Sequence, residues 1–174
     1  MNTLNANSAA NRLLYVFLLA GLTPLLIILI LYSLNPESPL LYCIATNTAH
    51  LPAFTSIYNP VMTKAMDVYC KSAPLLALIL FFSSLKNRIL TTSVTQHVLI
   101  RSCILGPLFY LTFIYIIFFN KLELLTSGRP VRMLAENNLI LLLFYMGIYF
   151  AAFLLTCAMC YIPVFAYLSI KKRR

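Results

Sequence analysis

Acidic side chains are scarce in this chain. Glu37, Asp67, Glu123 and Glu136 are the only four among 174 residues, against 13 Lys and Arg. No two carboxylates stand at a spacing suited to general acid–base work, and no His/Cys/Asp/Glu cluster has metal-ligand spacing. The four glycines form no phosphate-cradling loop, and no Ser-His-Asp arrangement is present. Charge of either sign is short as well: charged residues are 10% of the chain and hydrophobic ones 61%, with a mean hydropathy of +0.89. A water-soluble fold that apolar has too few polar groups to cover its surface. These absences argue against an enzyme, a metal or cofactor site and a small-molecule substrate, and they point to a protein dissolved in lipid.

What is present is long uncharged sequence. Residues 13–34 and 138–170 contain no Asp, Glu, Lys, Arg or His, and residues 102–120 form a third such run. About 20 apolar residues cross a ~30 Å hydrocarbon core as helix. The first run has 22 residues and leads into Asn35-Pro36-Glu37, too long and wrongly flanked for a cleaved signal peptide. A shorter run, Ala73 to Leu85, reaches spanning length only if its helix starts near Met66, with Lys71 snorkelling to the interface. Pro74 is then a kink or the first-turn proline of a separate helix. The last run begins at Asn137-Asn138, a capping site. It exceeds one crossing, so tilt, a break at Pro163 or an interfacial tail absorbs the excess. The expected fold is all-α: a polytopic membrane protein with four spans at about 13–34, 66–85, 102–120 and 138–162.

Four spans put both termini on one side. Segments 1–12, 86–101 and 171–174 hold eight Lys/Arg and no acid, whereas segments 35–72 and 121–137 hold five Lys/Arg and all four acids. Basic residues favour the cytoplasm, so both ends are expected inside and the two longer segments outside. This also separates His50 from His97 across the membrane. The net charge of +9 flanks the apolar runs and forms no aromatic-interleaved stripe, which argues against nucleic acid as a partner.

The external segment 35–72 is broken by Pro36, Pro39, Pro52 and Pro60. Asn59-Pro60 reads as N-cap and first-turn proline. A stripe of Val61, Met62, Ala65, Met66, Tyr69 and Cys70 follows, with Lys64, Asp67 and Lys71 expected on the opposite face. That helix packs on the bundle or lies in the interface; the sharper reading is a partner-binding surface. In the second segment Ser127-Gly128-Arg129-Pro130 is turn chemistry, and Arg129 and Arg132 can meet lipid phosphates, Glu123, Glu136 or a partner's carboxylates. Cys43 and Cys70 share the external side, where an oxidising compartment permits a disulfide. Cys157-Ala158-Met159-Cys160 has redox spacing but lies in apolar helix, without the strand-helix context that chemistry needs. Pro24, Pro107 and Pro163 each interrupt a span. Gly147 and Ala151 form a small-xxx-small pair suited to close helix packing, either internal or with a partner.

The run from Leu51 to Lys64, LPAFTSIYNPVMTK, with Tyr69, Lys71 and Ala73-Pro74, resembles the immunity proteins of the colicin A type. So do Arg101-Ser102-Cys103 with Pro107, and Leu122-Glu123-Leu124 leading into Gly128-Arg129-Pro130-Val131-Arg132. The likeness extends from about Arg12 to the end and is nearer the colicin A subgroup than the colicin B one. Leu125 and Ser127 depart from the expected Thr and Ala, which bears on the choice of toxin more than on the class of activity. The resemblance implies a plasmid-encoded inner-membrane protein that protects the producing cell from a pore-forming colicin. Its partner would be the toxin's channel-forming domain, met in the bilayer around a hydrophobic helical hairpin. On this reading Glu123, Arg129 and Arg132 are the leading polar contacts, with Asp67 and Lys71 behind them. A small channel or transporter subunit is the alternative class, suggested by the proline-broken helices.

Overall fold

The computed structural model describes residues 3–85 and 96–171. Long apolar segments become long helices because no water competes for their backbone groups in lipid. Helix α1 runs Thr3–Leu34, α5 runs Gln96–Phe119 and α7 runs Asn138–Lys171. Each encloses one of the three interior prolines, and none is broken by it. Pro163 therefore does not end the last span. At ~1.5 Å per residue, the 34 residues of α7 reach about 50 Å, more than a bilayer core.

The expected second span is two helices end to end, α3 (Pro60–Cys70) and α4 (Ala73–Ser84). Pro74 sits in the first turn of α4, where its missing N–H costs nothing, so a new helix starts there. The joint is tight: the Ser72 N–H donates to the Tyr69 carbonyl at 2.9 Å. Together they form an apolar rod over Pro60–Ser84, beginning six residues before the expected Met66. Four stretches are thus long and apolar enough to cross a membrane: Ala10–Leu34, Pro60–Ser84, Ile100–Phe119 and Asn138–Ser169.

Helix α7 is the centre of the bundle and packs against α1, α3, α4 and α5. Its Leu141, Tyr145, Tyr149, Ala152 and Phe153 recur on one face and are buried. Direction follows from the contacts. Asn138 at the start of α7 meets Asn59 before α3, while Ser84 at the end of α4 is 2.6 Å from the Tyr161 hydroxyl. Gly106 of α5 faces Ile162 of α7, and Tyr110, one turn further along α5, reaches back to Thr156 at 3.1 Å. Helix α7 therefore runs with α3–α4 and against α5.

At the end where α7 begins, here called the loop end, the connections are folded rather than slack. Helix α2 (Pro39–Asn47), a two-residue strand β1 (Phe54–Thr55), a second strand β2 (Leu122–Glu123), a 3-10 turn (Leu124–Thr126) and α6 (Arg129–Ala135) gather there. The strands pair in parallel, Phe54 with Leu122 and Thr55 with Glu123. An all-α expectation holds for the bulk of the chain and misses this small sheet. The segment around Lys86 and Arg88, and Lys172, Arg173 and Arg174, which carry much of the expected orientation signal, lie outside the described residues.

Candidate functional site

Irregular backbone beside apolar helices must find hydrogen-bond partners within the protein. The stretch 51–57 does so almost residue by residue. Lys64 and Lys71 each donate from the ammonium to a carbonyl, those of Leu51 and Pro52. The Phe54 N–H donates to Asp67 Oδ1 at 3.2 Å, and the Phe54 carbonyl accepts from the Tyr145 hydroxyl at 2.8 Å. The Ser56 N–H donates to Thr63 Oγ1 at 3.1 Å, and the Ser56 hydroxyl to the Ala135 carbonyl at 3.1 Å. Asp67 Oδ2 lies 2.9 Å from Lys71 Nζ, one helical turn along, with both side chains withdrawn from solvent.

These contacts correct two expectations. Asp67 is only 1% exposed, so α3 has no solvent face at that position; the loop covers it, and packing on the bundle is the outcome. Lys71, expected on the polar face with it, is withdrawn as well, its ammonium turned to Asp67 and the Pro52 carbonyl.

Glu123 is the second anchor. Its carboxylate accepts from the Thr55 hydroxyl at 3.1 Å, from the Ile57 N–H at 2.9 Å and, more weakly, from Leu125 N at 3.4 Å. It therefore binds the two long connections together rather than pairing with an arginine. Asn59 does the same further along. It precedes Pro60 as expected, but its side chain makes no cap bond; it accepts from the Tyr32 hydroxyl at 2.6 Å and donates to Asn138. The capping role at α7 belongs to Asn137, whose Oδ1 accepts from Leu139 N at 2.9 Å and Ile140 N at 3.4 Å.

Arg129 and Arg132 stand apart from this network. Both are exposed on α6, and among the described residues neither forms a salt bridge with Glu123 or Glu136. With Met133 and Glu136 they line an open cavity of about 380 Å³. Glu136 also borders a neighbouring one of about 700 Å³ with Tyr58, Asn59 and Asn138. The two meet at Glu136 and form a groove with the arginines at one end and amides at the other. Of the five expected polar contacts, then, Arg129 and Arg132 are free at the surface, while Glu123, Asp67 and Lys71 hold the platform beneath them.

The cysteine and glycine expectations change as well. Cys43 is exposed on α2, whereas Cys70 is buried and its thiol faces the Tyr145 carbonyl at 3.3 Å; no disulfide joins them. Gly147 is exposed and a Cβ there would meet nothing within 4 Å, so the Gly147–Ala151 pair is not an internal contact. The close approach is at Gly21, where a Cβ would run into the Tyr149 hydroxyl oxygen. Tyr149 in turn stacks on Tyr69, whose hydroxyl donates to the Gly21 carbonyl at 2.7 Å.

Nothing in the sequence marks Thr55, Ser56, Asn59 or Tyr145 as a site residue. Short polar side chains in a loop signal only a turn, and nothing local marks Tyr145 among 11 tyrosines. Their roles exist only across sequence separations of tens of residues.

Comparison with known proteins accounts for this architecture. The family model for colicin immunity protein matches residues 37–174. The chain is 47% identical to the colicin-A immunity protein of Citrobacter freundii over 97% of its own length and 94% of that protein's. It is 38% identical to the colicin-B immunity protein of Escherichia coli, over 97% and 96% of the two chains. No solved structure matches it. A helical bundle with four stretches long and apolar enough to cross a membrane, its connections interlocked at one end and its sequence matched along nearly its whole length to two such relatives, belongs to the colicin immunity protein family, nearer the colicin A member than the colicin B one.

Proposed function

We propose that this protein protects a colicin-producing cell by binding the channel-forming domain of a colicin A-type toxin within the inner membrane and preventing the channel from opening. The observation that carries the reading is the state of α5 beside the platform. Its apolar stretch Ile100–Phe119 is only 6% buried within the protein, with Leu105, Leu108, Phe109, Leu111 and Tyr115 all exposed. A helix so open in the bilayer offers a face to other apolar helices, and the exposed face around Gly147 and Ala151 lets a backbone come close. Helix–helix association of this kind blocks a pore stoichiometrically and requires no catalytic group. The loop end supplies discrimination through Arg129 and Arg132, which can pair with toxin carboxylates. Glu123, Asp67 and Lys71 contribute by holding those arginines and the groove in place.

This reading sets the loop end on the periplasmic side, with both termini in the cytoplasm, in agreement with the distribution of Lys and Arg.

A survival assay tests it. Sensitive bacteria expressing the chain are challenged separately with colicin A, with related pore-formers, and with a nuclease colicin that enters through the same receptor. Selective survival against one pore-former is expected. Equal protection against all of them would mean blocked uptake, and no protection despite verified membrane insertion would remove the reading.

A further inference from the structure

The side of the loop end away from the arginines carries a different kind of site. Between α2 and α3 lies a cavity of about 340 Å³ bordered by Tyr42, Ala45 and Val61. It shares Ala49, Thr55 and Lys64 with an adjoining cavity of about 190 Å³ that adds His50 and Lys121. One end is thus apolar and the other cationic. No acidic residue is among those that border either cavity.

The charges there are unbalanced. Lys64 and Lys121 border the smaller cavity together, and the two carboxylates nearest them are engaged elsewhere. Asp67 is paired with Lys71, and the Glu123 carboxylate is taken up by Thr55, Ile57 and Leu125. Lys64 and Lys121 therefore border the cavity with no salt bridge to either among the described residues. Clustered ammoniums are stabilised by an anion, and beside a protein with four stretches long and apolar enough to cross a membrane a lipid phosphate is an anion at hand. The apolar end fits the same occupant, since a phosphate carried on a glycerol with acyl chains needs a greasy wall beside its charge.

We infer that this paired cavity binds one anionic phospholipid of the leaflet at the loop end, with its phosphate among Lys64, Lys121 and His50 and its glycerol and first acyl carbons along Tyr42, Ala45 and Val61. The site is separate from the Arg129–Arg132 groove and does not depend on the toxin-binding reading.

The test uses the full chain purified in detergent and titrated with phosphatidylglycerol, with phosphatidylcholine and inorganic phosphate as parallel arms. Thermal unfolding and lipid retained after detergent exchange are both read. Lys64 also holds the Leu51 carbonyl, so the variants leave it in place: Lys121→Gln, and His50→Gln with Lys121→Gln. Phosphatidylglycerol is expected to raise the unfolding temperature and co-purify with the wild type, and the double variant to bind it about tenfold more weakly or worse. A variant with Arg129→Gln and Arg132→Gln retains wild-type binding. Undiminished phosphatidylglycerol binding in the His50/Lys121 double variant would overturn the site. An equal response to phosphatidylcholine would show no selectivity for anionic lipid, and an equal response to inorganic phosphate would show a bare anion site; either overturns the lipid assignment. Loss of colicin protection in that variant with lipid binding intact would reassign the cavity to the toxin.

Discussion

Gly21 and Gly147 show how little residue type says without its surroundings. Both are glycines in membrane helices, yet a methyl group at Gly21 meets the ring of Tyr149, a fully buried side chain stacked on Tyr69, and one at Gly147 meets nothing. Gly21→Ala is therefore expected to destabilise the fold by about 1–3 kcal/mol through overpacking. Gly147→Ala should stay within about 0.5 kcal/mol of wild type. Unfolding by SDS titration from mixed micelles distinguishes them. Asp67 is the other decisive residue. Asp67→Asn leaves Lys71 without its buried counter-charge and is expected to cost about 3–5 kcal/mol. Combining it with Lys71→Met should recover much of that loss, because the uncompensated charge is then gone; the same titration measures both. Tyr145→Phe is milder, leaving the Phe54 carbonyl short of a donor at about 1–3 kcal/mol.

At the level of elements, the two long connections behave as one unit. β1 pairs with β2, Glu123 accepts from Thr55 and Ile57, Ser56 reaches Ala135, and Asn59 reaches Asn138. Exchanging segment 35–72 alone for that of the colicin-B relative should disturb these contacts and reduce the protein accumulated in the membrane. Exchanging 35–72 and 121–137 together should restore it, and under the proposed function should move protection toward the other toxin. Immunoblots of membrane fractions and survival assays on the same chimeras check both halves. By contrast, Arg129→Glu with Arg132→Glu breaks no side-chain hydrogen bond or ion pair among the described residues, so accumulation is expected to stay normal while protection falls. Unchanged protection would remove these arginines from recognition.

On the scale of the whole molecule, a 34-residue α7 acts as the post on which α1, α3, α4 and α5 are mounted. Lipid supplies no hydrophobic drive between helices, so the bundle depends on close approach, as at Gly21, and on hydrogen bonds such as Ser84–Tyr161 and Tyr110–Thr156, at 2.6 and 3.1 Å. Helix α5 has few such contacts, which leaves it the most open helix for a partner. The proposed topology predicts that single cysteines at Glu37 and Arg132 react with a membrane-impermeant maleimide in cells with permeabilised outer membranes. Cysteines at Arg12 and Lys171 should react only after the inner membrane is opened. The reverse pattern would invert the orientation and with it the assignment of the recognition face.

Sequence alone determined the four apolar stretches, the capping position before α7 and the family, because hydropathy, caps and long motif strings are local properties of the chain. The start of the second rod at Pro60 was half legible: the stripe after Asn59-Pro60 marked a helix, but three ionisable residues disguised its burial. Only the tertiary structure decided that Asp67 and Lys71 face inward, that Glu123 ties the connections rather than an arginine, that Cys43 and Cys70 stay apart, and that Gly21 rather than Gly147 is the packing contact. Each of these depends on what lies across the bundle. A charged or small side chain has no fixed place until a distant carbonyl, ring or carboxylate supplies one.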